Sequence, residues 1–228
     1  MVQGIERPPT LTSVVVDAIR NGIFRGEMLP GEALREVALS DSLQVSRGTV
    51  REALHRLQDD GLVRIFPHKG AFVQGMKPCT AGEVYTLRAL LEPYAVRLAM
   101  ERDGYTRKDL DRLEKLGRRI GELEGKGGPY LEIVKADVEL HRLICLRSRH
   151  RLLLKTMKSL QSMNQLFVLN SRLYQLEGYR DDPSHLEIAA AIREGAPETA
   201  ANLLRLHILQ SGEVLLSRML VEDGGAPE

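Results

Sequence analysis

Apolar positions follow helical spacing along nearly the whole chain, with one interruption. Between Thr10 and Phe24, Leu11, Val14, Val15, Ala18, Ile19 and Ile23 form the apolar side of an amphipathic helix. Leu29-Pro30-Gly31 is a turn signal. A short second helix follows from Glu32 to Ser42, with Leu34, Val37, Ala38 and Leu39 apolar. Gln44-Val45 leads into a third, Ser46 to Gly61, where Val50, Ala53, Leu54 and Leu57 fall at i, i+3, i+4 and i+7. Ser46 suits an N-cap, and Gly61 a helix end. The interruption comes next. Leu62–Phe66 and Ala71–Gln74 are short runs rich in β-branched and apolar residues, separated by the turn Pro67-His68-Lys69-Gly70. They predict a β-hairpin. Two short helices joined by a tight turn, followed by a hairpin, predict a winged helix-turn-helix over about residues 10 to 75.

From there the spacing is helical throughout. Gly75, Lys77 and Pro78 break the pattern, and Thr80-Ala-Gly-Glu83 reads as a capping box. Six helices are expected, over about 80–103, 106–124, 129–147, 150–176, 182–194 and from Pro197 to about 221. The fold class is therefore mainly α. An N-terminal winged helix-turn-helix domain (1–76) is joined by a linker (77–80) to an all-α bundle (81–228).

Composition narrows the partners. A hydrophobic content of 43% supports real cores, so a mostly disordered chain is not expected. With 32 Lys and Arg against 31 Asp and Glu, the chain lacks the strongly basic balance of a non-specific nucleic-acid coat. A local basic stripe remains compatible. Cys79 and Cys145 have no motif spacing, so a disulfide framework is not expected, which suits a reducing cytoplasm. There is no signal-peptide pattern and no apolar run of membrane-spanning length.

Two places carry chemistry. The first is the helix Ser46–Gly61, where Arg47, Arg51 and His55, spaced by four, form a stripe beside the apolar one. Gly48 adds no side chain near its start. A short helix with a buried side, an arginine side and a capped start suits the DNA major groove. The alternative is a surface helix with solvated arginines. At the hairpin tip, Lys69 and Gly70 suit a phosphate or the minor groove.

The second place lies in the bundle, where three core-facing stripes share one anomaly. Asp137 and His141 sit four apart among Tyr130, Ile133, Val134, Val138, Ile144 and Cys145. His185 aligns with Ile188, Ala189 and Ile192, and His207 with Ala200, Leu203, Leu204 and Val214. A buried carboxylate without a partner is costly, so these groups should have something to bind. One oxygen and three nitrogens suit a divalent transition metal. A lone inward histidine is ordinarily a hydrogen-bonded core residue; the coincidence on three helices favours the ion. Arg88 shares a stripe with Val84, Leu91 and Ala95. It is either a guanidinium clamp for an anion or the salt-bridge partner of Glu92. Asn164 is a further polar candidate.

The run LPGEALREVALSDSLQVSRGTVREALHRLQDDGLVRIFPHKGAFV resembles the DNA-binding domain of the GntR family of bacterial transcription regulators. The resemblance covers about the first third of the chain. It implies that Arg35, Ser46, Arg47, Thr49, Arg51 and Gly70 touch double-stranded operator DNA. Gly48-Thr49 departs from the polar residue and Pro common there. The stretch from about 80 to 221 resembles the FCD ligand-binding domain of FadR-type regulators, in LRALLEPYAVRLAM, DVELH and HLEIAAAIREGAPETAANLLRLH. That resemblance implies a metal, often zinc or nickel, held by Asp137, His141, His185 and His207 beside a pocket for a small carboxylate effector. Leu140 stands where an aromatic is common, and His150 where Asn is usual.

The expected protein is a cytoplasmic homodimeric transcription regulator. An effector bound beside the metal would shift its operator affinity, with a coupling of about 1–3 kcal/mol. The competing class is a metal-dependent hydrolase, since open metal positions can activate water. The chain has no HExxH and no obvious general base. A purely structural metal is a further alternative.

Overall fold

The structure, a computed structural model, describes residues 10–75, 77–171 and 184–222. The chain divides into two compact units, Met1–Gly75 and Met76–Glu228.

The first unit contains α1 (Leu11–Phe24), β1 (Ala33–Leu34), α2 (Glu36–Leu43), α3 (Arg47–Asp59), β2 (Val63–Phe66) and β3 (Gly70–Val73). Its centre is the stripe Val50, Ala53, Leu54 and Leu57 of α3, all fully buried. α1 packs on α3 through Thr12, Val15, Val16, Ile19, Gly22 and Ile23. This face is rotated from the one expected, and Leu11 and Val14 are exposed. Polar contacts set the rotation: Thr12 Oγ1 donates to Glu52 at 3.0 Å, and Arg20 pairs with Asp60 at 2.7 Å. Both tie one side of α1 to α3.

The second helix starts four residues later than expected. Ala33 and Leu34 instead pair antiparallel with Phe72 and Ala71, giving a three-stranded sheet in the order β1-β3-β2. A two-residue strand has no period to read. The wing has the register Val63↔Val73 to Phe66↔Gly70. Its turn places His68 at φ +62° and Gly70 at φ +91°, the latter a region that favours glycine.

The second unit is all helical among the described residues. It contains α4 (Pro78–Glu101), α5 (Arg107–Gly125), α6 (Tyr130–Leu146), α7 (Arg151–Ser171), α8 (His185–Arg193) and α9 (Pro197–Glu222). The linker expected at 77–80 is not extended chain. Pro78, Cys79 and Thr80 form the first turn of α4, with Lys77 as N-cap and no side-chain cap. Proline at N1 is pre-set for helix, so α4 starts ahead of the expected Thr80–Glu83 box. Capping boxes do start α5 (Thr106 with Asp109) and α8 (Ser184 with Glu187). The expected continuation of α7 to 176 and the Asp181-Asp182-Pro183 helix start lie outside the described residues.

His150 takes the capping role at α7, where its Nδ1 accepts from the Leu153 N–H at 3.2 Å. An Asn side-chain oxygen does the same job, which accounts for the departure from the family pattern. Leu140 is fully buried in the core. α4 packs mainly on α9, and α5 on α6 and α8, around Leu, Ile, Val and Ala with Phe167. Among the described residues, no helix is long and apolar enough to cross a membrane.

Candidate metal centre and nucleic-acid interface

Asp137 and His141 lie one turn apart on α6, His185 is the first residue of α8, and His207 lies on α9. All four are buried, and each offers a ligand atom within 4.8 Å of the others. The rings of His141, His185 and His207 have centroids 4.4–5.5 Å apart. Asp137 Oδ1 is 2.9 Å from His185 Nε2 and 3.4 Å from His141 Nε2. Among the described residues, buried His141 Nε2 has no partner at hydrogen-bond geometry. A convergent carboxylate and three imidazoles, with a buried nitrogen left unsatisfied, fit a divalent transition metal.

Sequence reasoning missed the residue behind the site, Glu92 on α4, which is 0% exposed. Its Oε1 accepts from Arg88 Nε at 2.7 Å, and its Oε2 lies 2.5 Å from His141 Nδ1. Of the two readings of Arg88, the salt bridge is therefore present. Arg88 also lines a small cavity of about 10 Å³ with Tyr85, Asp137, His141, Asn164, His207 and others. The Nε bond to Glu92 is its one hydrogen bond among the described residues. Asn164 is buried there, and among the described residues its Oδ1 has no hydrogen-bond partner.

The charges are strongly coupled. Burial pushes the Glu92 carboxyl up, but Arg88 and His141 more than reverse this and hold it at about 2. Burial likewise opposes ionisation of Asp137, and His141 and His185 hold it well below the usual range. His141 is disfavoured as a cation by burial, yet Glu92 and Asp137 raise it above 6.5.

Placement of His185 depends on a close helix approach. A Cβ on Gly117 of α5 would lie 2.9 Å from the backbone N and Cα of Leu186 and 3.0 Å from the His185 carbonyl carbon. Backbone cannot step aside as a flexible side chain can. Gly117→Ala is expected to cost about 1–3 kcal/mol in denaturant unfolding. It should also weaken zinc binding in a chelator-competition titration, because α8 carries His185.

The other candidate surface is on the first unit. Arg35, at the N-cap of α2, is exposed, as are Ser46, Arg47 and Arg51 on α3, while Thr49 is half-buried. Lys69 and Gly70 are exposed in the wing turn. Ser46 caps α3, accepting from the Thr49 N–H at 3.1 Å, and its hydroxyl is 2.8 Å from that of Thr49. The Arg51 side chain is 62% exposed. It is braced by Glu36 of α2 through Nε (2.9 Å) and Nη2 (2.6 Å). That hydrogen bond holds the Glu36 carboxyl below its usual range.

A winged helix with an exposed arginine edge, followed by an all-α domain with a buried polar cluster, defines a DNA-binding transcription regulator. The family models agree. Residues 11–73 match the gntR family of bacterial regulatory proteins, and residues 83–210 match the FCD domain. The chain is 30% identical over 191 residues to the Nta operon transcriptional regulator of Aminobacter aminovorans, covering 82% of this chain and 86% of that protein. It is 29% identical to the HTH-type transcriptional regulator LutR of Bacillus subtilis, covering 81% and 92%. Among solved structures, a GntR transcriptional regulator from Rhodococcus sp. RHA1 superposes with a TM-score of 0.72 at 25% identity, covering 90% of this chain and 97% of that one. The chain belongs to the GntR family, with an FCD domain at its C-terminal side. It is a transcription regulator and not an enzyme.

Proposed function

We propose that this regulator grips its operator as a homodimer and that a small carboxylate, bound beside a divalent metal in the FCD domain, sets its affinity. The ion, zinc or nickel, would be held by Asp137, His141, His185 and His207. Bound there, it would supply a Lewis-acidic centre for the carboxylate. Arg88 and Asn164 line the adjoining cavity and would contact the anion. The DNA contacts would come from Arg35, Ser46, Arg47, Thr49, Arg51, Lys69 and Gly70. Two copies would address two half-sites in the cytoplasm, as paired recognition helices do. The observation that carries the reading is the convergence of four ligand atoms within 4.8 Å against a cavity edged by a guanidinium.

The test uses the purified full chain, stripped with EDTA and reloaded with zinc or nickel. About one ion per chain is expected. Citrate, as a probe carboxylate, should then change affinity for a duplex selected by the protein from a random pool by roughly 5- to 150-fold. A chain that takes up no ion would sink the metal reading. A loaded dimer whose duplex affinity ignores a panel of small carboxylates would sink the effector reading.

A further inference from the structure

We infer that Glu92 is a positioning residue: one buried carboxylate aims His141 at the metal cluster and holds Arg88 at the cavity wall. The inference rests on the proposed metal site and goes beyond its four ligands. Both Glu92 oxygens are used, each for a different partner. Oε2 faces His141 Nδ1 at 2.5 Å, so in the neutral ring that nitrogen carries the proton and the Nε2 lone pair is turned toward Asp137 and the other imidazoles. A carboxylate behind a ligating histidine fixes its tautomer and ring orientation and raises its basicity. Oε1 takes Arg88 Nε at 2.7 Å, and among the described residues the other guanidinium nitrogens make no hydrogen bond. These nitrogens belong to a side chain that lines the cavity beside Asp137, His141 and Asn164. The metal cluster and the anion cavity thus share a support on α4 that belongs to neither.

Two substitutions separate positioning from mere structural pairing. Glu92→Gln preserves volume but removes the charge that anchors both partners. Arg88→Gln places its amide Nε2 where the arginine Nε stood. It keeps the bond to Glu92 and removes only the charge and the terminal nitrogens. Zinc affinity, measured against a chromophoric chelator on the full chain, is expected to fall about 10- to 100-fold in Glu92→Gln. It should fall by less in Arg88→Gln, where Glu92 keeps both bonds but loses the guanidinium charge that holds it ionised, and the citrate response should be lost there. The absorption spectrum of the cobalt-substituted protein should change in Glu92→Gln alone. Equal losses of zinc affinity in the two variants would reduce the pair to a structural ion pair and overturn the inference. So would wild-type zinc affinity and cobalt spectrum in a folded Glu92→Gln. If Glu92→Gln fails to fold, Glu92→Asp, which shortens the reach to His141, is read by the same titration. If the wild-type chain binds no zinc, the metal reading itself falls, an outcome distinct from the other two.

Discussion

His141→Ala is expected to weaken zinc or nickel binding by about 10²- to 10³-fold. Structural zinc sites hold the ion with about 10–16 kcal/mol, so each of four ligands accounts for about 2.5–4 kcal/mol. The loss should be larger than for Glu92→Gln, because it removes a donor and not only its orientation. The pH dependence gives a second reading of the same residue. Burial disfavours the His141 cation, but Glu92 and Asp137 raise its pKa above 6.5. In the metal-free protein, protonated His141 therefore contributes stability that is fully present below the unfolded pKa. That stability is lost as pH rises through the folded one. Metal binding follows the opposite sign, since the ion displaces a proton from the ligand and binds more tightly as pH rises. Melting curves of the EDTA-stripped protein from pH 6 to 9 should show stability falling with pH, and zinc titrations over the same range should show affinity rising. Parallel trends would remove His141 from the ligand set.

The buried cluster of Asp137, His141, His185 and His207 was legible in the sequence because each member interrupts a helical stripe of apolar residues. Asp137 and His141 announce themselves four apart, and His185 and His207 fall in register with core alanines and isoleucines. Glu92 was visible only as the local partner of Arg88. Its contact with His141 joins α4 to α6 across 49 positions, and no local period reports such a pairing. The same limit explains β1. Ala33 and Leu34 become strand because Phe72 and Ala71 lie opposite, not because of their own spacing. The buried side of α1 departs from its apolar pattern for a related reason. Leu11 and Val14 continue that pattern, but the contacts of Thr12 with Glu52 and Arg20 with Asp60 select the neighbouring face. Patterns internal to one helix were readable, and choices made between elements were not.

Arg47→Ala combined with Arg51→Ala is expected to lower affinity for the selected duplex by about 10²- to 10⁴-fold, each arginine supplying about 1–3 kcal/mol. The slope of log affinity against log salt should become shallower by about 0.9 for each phosphate that the variant no longer neutralises. The Glu36 brace refines the prediction. It occupies Nε and Nη2 of Arg51, so in the proposed contact Nη1 is the nitrogen that would reach the duplex. At the proposed interface, removing Arg51 alone would also leave the Glu36 carboxylate facing the phosphates. Part of the loss in Arg51→Ala is then repulsion rather than a missing hydrogen bond. Adding Glu36→Gln should recover a share of the affinity, whereas Glu36→Gln by itself should relax discrimination between the selected duplex and a scrambled one. Fluorescence anisotropy on both duplexes, at about 50 to 200 mM salt, reads all of these. Wild-type affinity and an unchanged salt slope in Arg47→Ala/Arg51→Ala would mean that this edge of α3 does not face DNA, and the exposed arginines would then be solvated surface.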